Sequence, residues 1–148
     1  MSNARNIASI AGEDVLNASN EIVPVYACRA WVNFDGTLAM TVGSSYGPDV
    51  PPADYSSPNP IRDSGNVSSI IDLGIGQFVA NFTTAMADTN YATQVSCRDE
   101  TGTGGRLVGS ESYTNSAYRG TSSVSIEIFN SNDSALKNSS IVSVCIFR

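Results

Sequence analysis

From Val25 onward the chain keeps alternating apolar and polar residues, and this period of two constrains its fold more than any other feature. Successive side chains of a strand point to opposite faces, so such a run buries one face and wets the other. In Cys28–Phe34, Cys28, Ala30, Val32 and Phe34 are expected on one face, with Arg29, Trp31 and Asn33 on the other. Leu38, Met40 and Val42 share a face in the next run. Phe78, Ala80 and Phe82 oppose Gln77 and Asn81; Tyr91, Thr93, Val95 and Cys97 oppose Gln94, Ser96 and Arg98. Val124, Ile126 and Ile128 oppose Ser125 and Glu127. The last run, Ser140–Phe147, is apolar on both faces, which fits a central strand and a subunit interface equally.

Gly36 and the Gly74-Ile75-Gly76 stretch sit between strand runs, where a hairpin favours positive φ. About seven short strands with one core face each predict an all-β fold, an antiparallel β-sandwich that is partly closed, over residues 25–148. Residues 1–24 stand apart. Ile7 and Ile10 are three apart, Asn6 suits an N-cap and Gly12 a stop, so a short helix or irregular arm ending near Pro24 is expected. Ile7, Ile10, Val15 and Leu16 give this arm an apolar surface that suits attachment to another subunit or particle, or packing on its own domain.

Composition narrows the function. The 148 residues make one ordinary domain, able to bury about 70% of its unfolded surface without a disulfide scaffold. Net charge is −6, and Lys137 is the one lysine beside seven arginines. That balance disfavours nucleic acid, whose phosphates need clustered cations. No run approaches 18 apolar residues, so no membrane span is expected. The N-terminus has no basic segment followed by an apolar run, as a signal peptide would. Cys28, Cys97 and Cys145 form no CxxC pair and lie in strand-like runs, where free thiols behave as small buried hydrophobes.

The chain contains no histidine. This removes the commonest general base and metal ligand, together with every Ser-His-Asp and Cys-His arrangement. The remaining candidates are carboxylates: Asp49 and Asp54, then Asp99, Glu100 and Glu111. A glycosidase needs two carboxyls held about 5–10 Å apart across a sugar cleft, and residues on loops are poorly placed for that. No DxDxDG run marks a calcium loop, and the Gly102–Gly105 stretch lacks the following helix of a phosphate cradle. No enzyme, cofactor or metal is expected.

Two connectors are too long to be turns. Gly43–Pro60 holds five of the six prolines, with Tyr46 and Tyr55. Asp99–Thr121 mixes Gly and Ser with Tyr113, Tyr118, Arg106 and Arg119. Connectors beyond about 12–15 residues in a compact domain are usually functional or disordered. Tyrosine among Ser and Gly is the composition of binding loops. These six residues are the candidate receptor-binding set, with Tyr stacking on sugars and Arg meeting anionic groups.

Three blocks, Arg29–Thr37, Ile61–Ala92 and Val142–Arg148, resemble in order a module of tailed bacteriophages. It recurs in tail-fibre and other virion structural proteins, especially in phages of aquatic bacteria. The resemblance implies a β-rich, non-enzymatic virion protein of tail-fibre or adhesin type, trimeric and presented at the exposed end of a fibre. On this reading residues 1–24 attach to other virion proteins, Val142, Val144 and Ile146 join them in subunit or particle contacts, and the loops meet a host-surface glycan or protein. The alternative role is a head decoration or tail collar component without a host ligand. Two departures matter: the Pro-rich segment intervenes where related modules have a short link, and only about 24 residues precede the module, which suits a short fibre, a tip or a decoration.

Overall fold

The computed structural model describes residues 28–38, 59–98, 106–112 and 119–148, and the backbone of three two-residue strands. Those three are β1 (Val15–Leu16), β2 (Ile22–Val23) and β4 (Ser45–Tyr46). The rest are β3 (Cys28–Phe34), β5 (Ile61–Gly65), β6 (Val67–Gly74), β7 (Gln77–Phe82), β8 (Ala92–Cys97), β9 (Leu107–Glu111), β10 (Ser123–Asn130) and β11 (Val142–Phe147). They form a four-stranded sheet, β5-β3-β11-β8, and a five-stranded sheet, β4-β6-β7-β10-β9. All ladders are antiparallel, and no helix occurs among the described residues. The all-β sandwich expected from the alternation is therefore the fold. Within residues 1–24 the described pieces are β1 and β2, which pair with each other; the helix expected near Asn6 to Gly12 lies outside the described residues, as do Ile7 and Ile10.

Burial follows the period of two through most strands. Ala30, Val32 and Phe34 of β3, Phe78, Ala80 and Phe82 of β7, and Val124, Ile126 and Ile128 of β10 all lie in the core. Phe34 and Phe78 meet edge to face at 5.0 Å, and Phe82 meets Tyr91 in the same way at 6.0 Å. These two aromatic pairs tie the sheets together at opposite ends of the sandwich.

Four expectations need correction. The strand buried on both faces is β10, where Ser125 and Glu127 are as enclosed as their apolar neighbours. By contrast β11 alternates: Val142, Val144 and Ile146 fill the core, while Ser143, Cys145 and Phe147 face outward and are half-buried. Those three apolar side chains are thus enclosed within this chain, where they cannot also make an outer subunit contact.

Gly36 makes no hairpin. Its strand pairs with β11 and β5, and its N–H donates to the Ser139 carbonyl at 2.9 Å. A Cβ there would lie 2.8 Å from Phe78 Cζ, so this glycine serves packing. The tight link with positive φ is instead Asn66 (φ 55), which carries the chain from β5 to β6. Gly74 (φ 130) and Gly76 (φ 67) do form the expected hairpin between β6 and β7.

The third correction concerns the second long connector. Leu107–Glu111 is strand β9, paired with β10. Asp99–Thr121 is therefore two shorter links separated by a strand. The sequence hides it because Gly109 interrupts the apolar pattern. Gly109 is needed where β9 closes against β8: a Cβ would sit 2.4 Å from Val95 Cγ1. Gly109→Ala should destabilise the fold by about 1–2 kcal/mol, overpacking outweighing the smaller entropic gain from losing a glycine. In a Val95→Ala background the cost should shrink, as urea unfolding of the four variants would report.

The fourth correction is at Cys28, expected inside but exposed. Arg29 is an extra residue in the ladder, since Ala30 pairs with Ile146 while Cys28 pairs with Phe147. Such a bulge reverses the facing of the residues before it.

Candidate functional site

Strand directions give the sandwich two distinct ends. At the far end β3 finishes, β5 starts, β8 finishes, β11 starts and β6 turns into β7. At the near end lie Cys28, the Asn66 link, Thr83–Met86, Tyr91 and Arg119–Thr121. Leu38 and Asn59, which flank residues 39–58, lie at the far end, as do Arg98 and Arg106, which flank residues 99–105.

The roots of the 39–58 segment are tightly held. The Asp35 N–H donates to the Pro60 carbonyl at 2.8 Å, and Asn59 Oδ1 accepts the Ile61 N–H at 2.9 Å. Asp35 also accepts from the Thr37 N–H and hydroxyl at 2.9 and 2.6 Å, as Asp commonly does in such turns. Arg62 then clamps the base, reaching the Asp35 carboxylate at 2.9 Å and the Ser140 carbonyl at 2.6 Å. A long connector thus springs from a fixed platform, which is how scaffolds commonly carry binding segments.

The six expected recognition residues divide between the ends. Arg106 lies at the far end, where its carbonyl accepts the Ser131 N–H. Tyr46 is on β4, opposite Ile70 and about midway along an edge of the five-stranded sheet. Arg119 lies at the near end, a strand length from Arg106. Arg106 and Arg119 therefore lie at opposite ends of the sandwich. Tyr55, Tyr113 and Tyr118 fall outside the described residues.

Arg119 is engaged within the chain. It pairs with Glu111, donates from Nε to the Thr89 carbonyl at 3.2 Å and from Nη2 to the Tyr91 carbonyl, and stands 4.7 Å above the Tyr91 ring. The Tyr91 hydroxyl lies within reach of the Gly120 and Ser123 carbonyls. Burial pushes the Tyr91 phenol above its ordinary value, with Arg119 opposing that shift and Glu111 reinforcing it. Sequence spacing gave no sign of this cluster, whose members come from three separate segments.

Glu111, one of the candidate carboxylates, therefore holds Arg119. Its Oε1 is buried without a hydrogen-bond partner among the described residues, as is Thr93 Oγ1. Asp49, Asp54, Asp99 and Glu100 lie outside the described residues. Among the described residues no three His, Cys, Asp or Glu side chains gather to hold a metal. The carboxylate that sequence reasoning missed is Glu127, which is 4% exposed and accepts hydrogen bonds from Ser112 at 2.7 Å and Gln77 at 3.1 Å. Alternation placed it on the outer face, but nothing in the sequence reports that this face is covered.

The near end also carries an open cleft of about 320 Å³, lined by Arg29, Asn66, Thr84, Met86 and Arg148 among others. Asn66 is fully used there: its amide donates to the Arg29 and Thr84 carbonyls and its oxygen accepts the Thr84 N–H. Arg148 pairs with Asp88.

No protein family, curated protein or solved structure matches the chain. Its function must therefore be argued from the sandwich and its two ends.

Proposed function

We propose that this chain is a virion structural protein of a tailed phage, of tail-fibre or adhesin type. Residues 1–24 attach it to other virion proteins, and the 39–58 and 99–105 segments meet a host-surface glycan or protein. One observation supports this division above the rest. The N-terminal segment reaches the sandwich at Cys28, while both of those segments are rooted at the opposite end of β3. Seven residues of strand separate the two by about 23 Å. A module that is held at one end and recognises at the other needs this polarity.

The recognition set narrows accordingly to Tyr46, Tyr55 and Arg106, all carried by segments rooted at the far end or by the adjoining sheet edge. The virion setting and the homotrimer rest on the resemblance of the three blocks to phage modules. Antibody against the purified protein, applied to intact particles and viewed by electron microscopy, tests the reading. Label on the tail or at fibre tips is the expected result. Dense label over the head would make the protein a decoration component, and unlabelled particles would overturn the virion role.

A further inference from the structure

We infer that the outer face of the β5-β3-β11-β8 sheet carries a binding site for a neutral sugar ring, built on Trp31. This residue points away from the core on an interior strand and is 37% exposed. The register sets it opposite Gly65 of β5 on one side and Cys145 of β11 on the other. A Cβ on Gly65 would lie 2.4 Å from Trp31 Nε1, 2.9 Å from Cδ1 and 3.1 Å from Cε2. Three atoms of the five-membered ring so close to one point mean that the indole lies face-down across Gly65; an edge-on ring would hold Cδ1 and Cε2 farther back. Gly65 has no positive φ, so this close approach is what excludes a side chain there. The indole therefore keeps its opposite face toward solvent, as a platform lying on the sheet.

Such a platform suits a sugar. An aromatic face carries negative charge density, and the C–H groups on one side of a pyranose carry the complementary sign. The hydroxyls around the sugar then need a few placed polar groups beside the platform. Two residues along the strands, about 7 Å away, neighbouring strands supply a row of them: Asp63, Asn33, Ser143 and Ser96. Gln94 lies beyond Cys145 in the row of Trp31 itself. Asn33 donates to the Ser143 hydroxyl at 2.8 Å, which leaves the Ser143 proton to be donated outward. Gln94 and Ser96 are exposed, and among the described residues neither side chain, nor the Trp31 N–H, has a hydrogen-bond partner.

Charge selects a neutral ligand. Asp63 is the one ionised group in these two rows. Arg62, which approaches Asn33 at 3.5 Å, is held by Asp35, and Arg29 lines the near-end cleft. An anionic sugar would meet Asp63 with no free cation beside it. A protein partner fits less well. Stable interfaces bury about 800 Å² on each side around an apolar centre depleted of charge. Here one indole with half-buried Cys145 and Phe147 borders a polar row that contains a carboxylate. None of these residues belongs to the recognition set proposed above, and the site stands whatever the chain's wider function.

Trp31 is the one tryptophan of the chain, so its fluorescence reports on this site alone. The test titrates the full-length protein with neutral oligosaccharides of glucose, galactose, mannose and N-acetylglucosamine, with glucuronate as the charged comparison. Saturable quenching by at least one neutral series, with a dissociation constant of about 1 mM or tighter, is the expected result. Saturation-transfer NMR then reads binding without relying on the indole. Trp31→Ala should weaken binding about tenfold or more, and Trp31→Phe less, both with Tm close to wild type because the side chain is exposed. Gly65→Ala, which lifts the indole off the sheet without removing it, should also weaken binding. No saturable response to any neutral series, binding unchanged in Trp31→Ala, or a response to glucuronate alone would each overturn the proposal. So would an emission shift that grows with protein concentration in the absence of sugar, which would make a second copy the occupant.

Discussion

Phe78→Ala should lower the unfolding free energy by about 3–5 kcal/mol, the range for deleting a fully buried aromatic ring. Phe78 is 0% exposed, stands edge to face with Phe34 at 5.0 Å, and joins the two sheets at the far end. Against a typical total of about 5–15 kcal/mol, that loss leaves the domain marginal. Urea unfolding should show a lower midpoint with an unchanged slope, the signature of lost stability in an otherwise similar transition. A loss under about 1 kcal/mol would mean that the sheets do not meet at this ring.

The same site offers an internal check. Gly36→Ala places a methyl 2.8 Å from Phe78 Cζ and 3.2 Å from the Ser139 carbonyl oxygen, so it should be destabilising on its own. Without the Phe78 ring most of that conflict disappears. The double variant should therefore be more stable than the sum of the two losses, since residues in contact do not add.

What could be read from the chain was the local period. Alternation assigned the inner faces of β7, β8 and β10, and of β3 from Ala30 onward, correctly because those residues pack on one core. It failed where a single residue altered the local geometry. Arg29 shifts the ladder by one and exposes Cys28; Gly109 hides a strand because a close approach to β8 demands the absence of a side chain. Asn66 takes the left-handed conformation that glycine usually supplies, with its own amide holding the turn. Alternation also reports only which way a residue points. Whether that face is covered depends on segments distant in sequence, and so Glu127 and the doubly enclosed β10 were invisible.

Composition marked the Tyr- and Arg-bearing stretches as candidates but carried nothing about their arrangement. The separation of Arg106 from Arg119 follows from strand direction, which sequence periodicity does not carry. Arg106 precedes β9, and Arg119 reaches Glu111 at its other end, so the two lie about a strand length apart.

Arg119→Ala separates a structural from a receptor-binding role for this residue. We expect a loss of about 2–3 kcal/mol, in the range for a hydrogen-bonded charge with several partners. Three contributions decide that magnitude. The ion pair with Glu111 is partly exposed and adds little alone. The hydrogen bonds to the Thr89 and Tyr91 carbonyls hold the link before β8, and the guanidinium lies over the Tyr91 ring. Removing it also leaves the Glu111 carboxylate without its cation, while its Oε1 already lacks a partner among the described residues. Arg119→Lys should recover less than half of the loss, because an ammonium cannot reproduce the planar fork that reaches both carbonyls and the carboxylate. Arg106→Ala is the control: among the described residues its side chain makes no ion pair, and its removal should stay within about 0.5 kcal/mol. Thermal unfolding distinguishes the outcomes. A fall in Tm of about 5–10 °C for Arg119→Ala alone fits a clamp at the near end. An unchanged Tm with lost adsorption to host cells would return Arg119 to the recognition surface and place that surface at the end where the N-terminal segment joins.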